Sequence, residues 1–289
     1  EPVMSITESL GIRGWTHLDP VILASLATNM PLLLVGGHGA GKTELVKKLG
    51  KAMGLDMRHY NASLINYDDL VGIPMPNEGT NFLRFVAAPG SIWDAEFVFF
   101  DEVSLCPPDL HNKMFPIVHE RTVAGIELQK LRHRWGAMNP PMPDDADITE
   151  GDLYFGAEPL DPALIDRFPF IVPVPAWREL NRDDKKKLVA GEDPTLSATH
   201  TAVTQPWLVD LVARCILTIE AIRDELHEWL ADYTVSVVEL LHQARLPVSA
   251  RRARTMFDAL LAIQAARMVL YNTDADLESS AEYTLMFCM

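Results

Sequence analysis

Apolar and polar positions follow two rhythms along this chain, and the change falls near residue 174. In the first stretch, short apolar runs alternate with segments of helical spacing. Asp19-Pro20 reads as an N-cap followed by proline at the first helical position, opening a helix that runs to about residue 28. Pro31 then leads into a strand, Leu32-Leu33-Leu34-Val35. Residues 44–53 place Leu45, Val46, Leu49 and Met53 on one helical face, with Gly54 as the C-terminal cap, and residues 56–61 read as a second strand. Phe97-Val98-Phe99-Phe100 is continuously apolar, the pattern of a central parallel strand covered on both faces. A helix over 108–120 follows, in which Pro116 predicts a kink or a break. Alternation around Gly125 predicts a hairpin over 122–131, and 132–137 is a further strand ending in Met138-Asn139-Pro140. The Pro-, Asp- and Gly-rich stretch 140–162 reads as a loop, 164–167 as part of a short helix, and 170–174 as the last strand.

Beyond that point the strand signals fade. Residues 179–190, 207–230, 233–244 and 250–270 all carry helical apolar spacing, with a loop over 193–205. Strands alternating with helices predict an α/β domain over 1–174, a mostly parallel sheet with helices on both faces, and then a small all-α domain over 175–289.

Composition narrows the functional classes. At 48% hydrophobic and 22% charged, the chain has the make-up of a folded soluble protein. Its formal charge of −15 argues against sequence-independent nucleic-acid binding unless a local basic patch exists; Arg251-Arg252-Ala253-Arg254 is one candidate. Cys106, Cys215 and Cys288 are too few and too scattered for a disulfide framework or a zinc site, which fits a reducing cytoplasm. The longest uncharged apolar run, 20–35, contains Asn29 and Pro31 and is too short for a bilayer span. A start at Glu1 rather than Met suggests a trimmed or fragmentary sequence. Lys185-Lys186-Lys187 reads as a solvated helix face.

The chemistry concentrates where strands end. Gly36-Gly37-His38-Gly39-Ala40-Gly41-Lys42-Thr43 is a complete G-x-x-x-x-G-K-T loop between a predicted strand and a predicted helix. Such a loop turns its amides toward phosphate oxygens at a helix N-terminus. Lys42 can then reach the β and γ phosphates, and the Thr43 hydroxyl can join Mg²⁺. The motif implies a bound nucleoside triphosphate. Asp101 and Glu102 follow the apolar run 97–100, which puts two carboxylates at the C-terminal edge of a central strand, where α/β sheets bind ligands. Asp101 suits the metal and Glu102 the attacking water. Asn139 can hold that water against the γ-phosphate, or serve as a turn residue before Pro140. Arg167 can reach a neighbouring subunit's nucleotide, or pair with Asp161 or Asp166.

In order and spacing, these motifs resemble those of the AAA+ ATPases. Within them the chain looks most like the MoxR group, through Pro89-Gly90-Ser91, His119-Glu120-Arg121-Thr122-Val123, Ala137-Met138-Asn139-Pro140 and the run from Leu160 to Phe168. By that likeness Asn139 matches sensor 1, Arg167 the arginine finger, and Arg251, or alternatively Arg252 beside it, the sensor 2 arginine of a helical lid. The resemblance implies ATP and Mg²⁺, a homo-oligomeric ring that is usually a hexamer, and chaperone-like activity with a partner bearing a von Willebrand factor A domain. Pro116 and the long 140–162 stretch depart from the usual pattern. Two other readings are a P-loop phosphotransferase, which needs neither Glu102 nor a trans-acting arginine, and a DNA-directed AAA+ ATPase, which the acidic charge disfavours.

Overall fold

A computed structural model describes residues 5–140, 166–191, 204–271 and 275–288. In chain order its strands are β1 (Leu32–Val35), β2 (Met57–Asn61), β3 (Ile73–Pro76), β4 (Leu83–Val86), β5 (Phe97–Asp101), β6 (Thr122–Val123), β7 (Ile126–Glu127), β8 (His133–Met138) and β9 (Phe170–Pro173). The first five helices are α1 (Ile6–Ser9), α2 (Asp19–Thr28), α3 (Lys42–Ala52), α4 (Tyr67–Val71) and α5 (Pro108–Glu120). Four more follow β9: Arg182–Ala190, Pro206–Gln243, Ala250–Tyr271 and Leu277–Cys288.

Five strands form one parallel sheet in the order β2-β5-β8-β1-β9. Side chains along a strand alternate between faces, so each buried strand feeds two layers. Leu32, Leu34, Phe97 and Phe99 join α2, α3 and the late helices in one apolar cluster. Leu33, Val98 and Phe100 join α4 and α5 in the other. The continuous apolar run at 97–100 is therefore a central strand with both faces covered, as its sequence predicts. The chain leaves β1 for β2 at the far edge and returns across β1 to reach β9. β1 is thus the switch point, and the crevice at its C-terminal end is the expected ligand position.

Several expectations are modified. Asp19 does not cap its own helix. Its carboxylate turns back to accept from the backbone N–H groups of Ile6 and Thr7, both at 3.0 Å, and from the hydroxyls of Ser5 and Thr7, so it caps α1 instead. Pro116 does not break α5, which runs unbroken through it. The carbonyl it leaves without a donor belongs to Asn112, an exposed residue, so the lost bond falls on the solvent side of the helix. The hairpin at 122–127 is shorter than predicted; Ala124 and Gly125 turn it with φ of 48° and 80°. Helices predicted at 207–230 and 233–244 are one helix, Pro206–Gln243, because Ala231 and Asp232 between them do not interrupt it. The β3–β4 hairpin and the Leu277–Cys288 helix add elements that the periodicity did not indicate. The predicted loops at 140–162 and 193–205 lie almost wholly outside the described residues, as does most of the short helix at 164–167. Among the described residues no helix is long and apolar enough to cross a membrane.

The helices after β9 pack on the sheet's first layer. The Ala250–Tyr271 helix lies between α2 and the Pro206–Gln243 helix, and its residues from Met256 to Leu270 belong to the same buried cluster as β1 and β9.

Candidate nucleotide site

β1, β5 and β8 deliver their C-terminal ends to one crevice. Residues 36–41 leave β1, and α3 starts at Lys42. Gly39 and Gly41 have φ of 72° and 97°, a region that L-residues rarely enter. A Cβ on Gly36 would stand 2.2 Å from Val174 Cγ2, so this position must be bare where the chain crosses the end of β9. Lys42 is buried at the floor and folds back onto its own loop, donating to the carbonyls of Gly36 and Gly37, and reaches Asn139 Oδ1 at 3.4 Å. Burial pulls its pKa down, and the carboxylates of Asp101 and Glu102 pull it up, with burial prevailing. A phosphate anion would relieve that cost.

Thr43 donates its hydroxyl to Asp101 Oδ2 at 2.7 Å, joining the loop to the end of β5. Burial raises the Asp101 pKa, but hydrogen bonds from His59, Thr43 and the Glu102 backbone N–H outweigh it and hold the carboxyl below its usual range. A hydroxyl beside a carboxylate oxygen fits a hard cation such as Mg²⁺. No cluster of three or more His, Cys, Asp or Glu suited to another metal occurs among the described residues. Glu102 follows with a left-handed backbone, φ 55° and ψ 41°, an uncommon conformation for a non-glycine residue. Its Oε2 accepts from Asn61 Nδ2 and Ser63 Oγ, both at 2.9 Å. Asn139 closes the far wall, with Nδ2 2.9 Å from His38 Nε2.

These side chains line a polar cleft of about 300 Å³. Beside it, sharing Gly39, Ala40, Gly41 and Glu44, is a second cleft of about 370 Å³ with a more apolar wall. Ile12, Arg13 and Trp15 come from the segment before α2, and Trp177, Leu180 and Lys187 from beyond β9. Arg13 Nε is buried there without a hydrogen-bond partner among the described residues. A polar cleft that runs into an aromatic one matches the two ends of a nucleotide.

Of the site residues predicted from sequence, the phosphate loop, Asp101, Glu102 and Asn139 converge. Arg167 and Arg251 line neither cleft. Arg167 places its guanidinium 4.2 Å from the Phe115 ring centroid. Together with Arg251 it lies close enough to His119 to lower that residue's pKa, burial being the larger cause. Of the basic run 251–254, Arg251 and Arg254 are exposed and Arg252 is turned inward. Arg252 donates to main-chain carbonyls, and Arg254 forms two 3.2 Å bonds to Asp258. Residues unmarked by sequence are His59, Asn61 and Ser63, which meet the carboxylates only through β2–β5 pairing, and the walls of the apolar cleft. The carboxamide that ends β2, level with Asp101, and the hydroxyl two residues on are their one available signal.

Comparison with known proteins agrees with this fold. A crystal structure of a protein from Cytophaga hutchinsonii ATCC 33406, ascribed ATPase activity, superposes with a TM-score of 0.63 at 18% identity, over 98% of this chain and 84% of that one. Residues 31–168 match the family model of the AAA domain, dynein-related subfamily. The fold is therefore that of a P-loop AAA+ protein, a parallel sheet followed by an all-α lid region, and residues 31–168 are similar to the AAA domain.

Proposed function

We propose that this chain is an ATPase of the MoxR type, working in a homo-oligomeric ring whose sites are completed by neighbouring copies. One observation carries the reading: the groups for binding and water activation share a cleft, whereas Arg167 and Arg251 are absent from its lining. Arg167 and Arg251 both lie near His119, and their positive charge would attract an anionic triphosphate held by an adjoining copy.

The chain's residues divide the work. Backbone amides of 36–41 and the Lys42 ammonium bind the phosphates, and the apolar cleft takes the base. Thr43 and Asp101 would hold Mg²⁺, which when bound neutralises phosphate charge. Glu102, oriented by Asn61 and Ser63, accepts the proton of the attacking water, and Asn139 positions that water. Arg167 of one copy stabilises the charge developing in the next copy's site, an effect of about 10³–10⁵ in rate elsewhere. The change of pattern after residue 174 adds a division at residues 1–174 and 175–289, and the resemblance adds a hexameric ring and remodelling of a protein client with a von Willebrand A-domain partner.

Three variants test the chemistry. Lys42→Ala loses nucleotide binding; Glu102→Gln binds ATP and does not turn it over; Arg167→Ala binds ATP and hydrolyses it slowly. Mixing the last two recovers phosphate release, because sound fingers then meet sound catalytic carboxylates. A sample that stays monomeric at all concentrations and is fully active would refute the shared site.

A further inference from the structure

Arg252 lies in the first turn of the Ala250–Tyr271 helix, and its guanidinium turns toward the body of the protein. Nη1 donates to the main-chain carbonyl of Phe168 at 3.0 Å, and Nη2 to that of Cys288 at 2.7 Å. The Cys288 carbonyl ends the Leu277–Cys288 helix, where carbonyls lack intrahelical donors and the helix dipole favours a cation. Phe168 is the residue after Arg167. Its ring is fully buried, packed at the bare backbone of Gly136 and beside Leu33. The strand β9 that begins two residues later is flanked by the same Leu277–Cys288 helix. One side chain thus joins three elements around the peptide that carries Arg167.

We infer that Arg252 is a positioning residue for Arg167, fixing from the lid region the backbone that presents the finger to an adjoining copy. This rests on the shared-site reading above. The carbonyl of Phe168 is held from one side by its buried ring and from the other by Arg252, so the segment has little freedom to shift. Arg252 itself lines neither cleft of its own chain, so its influence on hydrolysis falls on another copy's nucleotide. A lysine could not replace it, since a single ammonium lacks the planar fork that reaches two carbonyls on separate elements.

The test uses full-length chains in mixed assemblies. Glu102→Gln chains donate fingers but cannot hydrolyse, and Arg167→Ala chains hydrolyse only with a neighbour's finger. Arg252→Ala is then added to one chain or the other. On the finger donor it should lower the recovered turnover at least tenfold, and Arg252→Lys should restore only part of it. On the nucleotide-holding chain it should leave turnover within twofold, with analogue affinity unchanged in both placements. Equal losses in the two placements, as from general damage to the fold, would overturn the inference, and so would no loss in either. If the parent mixture recovers no turnover although its chains assemble together, the shared-site reading falls and the inference with it.

Discussion

His133 sits inside the sheet on β8, 2% exposed, against the Phe97 ring. Burial pushes its pKa down to about 3, helped by the nearby charges of Arg132 and Arg134. The folded state therefore keeps the imidazole neutral where the unfolded chain would bind a proton. Stability from this residue is complete above the unfolded value of 6.5 and is lost as pH falls from there toward 3. The slope approaches about 1.4 kcal/mol per pH unit, one proton's worth. His133→Phe should remove that slope, so the stability gap between wild type and variant, measured by urea unfolding, should narrow or reverse between pH 7 and pH 5. A constant gap would show that His133 takes up its proton over the same pH range in the folded and unfolded chains. Residues of this kind are poorly legible in sequence. Lys42, Thr43, Asp101 and Glu102 announce themselves because their function lies in a contiguous string. The partners Asn61 and Ser63 gain theirs only from a strand pairing 40 residues away in sequence.

At the scale of elements, α5 illustrates a local signal overruled by packing. Pro116 costs a helix interior about 3 kcal/mol in isolation, yet Met114, Phe115, Ile117 and Val118 around it are all buried in the second apolar layer. Their burial keeps the helix whole. Pro116→Ala restores one main-chain bond and removes the ring's clash, while the unfolded chain gains about 0.4–1 kcal/mol of entropy. The net expectation is a gain of about 1–2 kcal/mol in unfolding free energy, read from denaturant midpoints; a loss would mean that the ring's packing outweighs the bond. The same contest explains which elements the sequence made visible. Central strands and α3 carry clean periodicity and appear within a residue or two of expectation. β3 and β4 escape notice because Pro74 and Pro76 interrupt the first strand and neither strand has a covered face to impose alternation. The 38-residue helix reads as two in sequence, and its buried stripe thins beyond Ile219, with Leu230 and Thr234 its last buried positions.

For the whole molecule, the deciding fact is that one apolar cluster runs from Ile6 and α2 through β1, β8 and β9 into the helices beyond residue 206. Leu260 is 2% exposed within it. Because a buried leucine replaced by alanine costs about 2–5 kcal/mol, Leu260→Ala reports how far that damage travels. If the lid region were a separate folding unit, the nucleotide cleft would survive while the late helices melted first. With a shared core, loss of analogue binding and loss of far-ultraviolet helical signal should move together to lower denaturant, as one transition. Binding should act in reverse through the same core. A nucleotide analogue at 100 times its dissociation constant adds about 2.7 kcal/mol to whatever unfolds with its site. The late helices should therefore gain that protection although, among the described residues beyond β9, only Pro175, Trp177, Leu180, Lys187, Leu188 and Gly191 line the clefts. Two separated transitions, with the analogue shifting only one, would disprove the common core and free the lid to move alone.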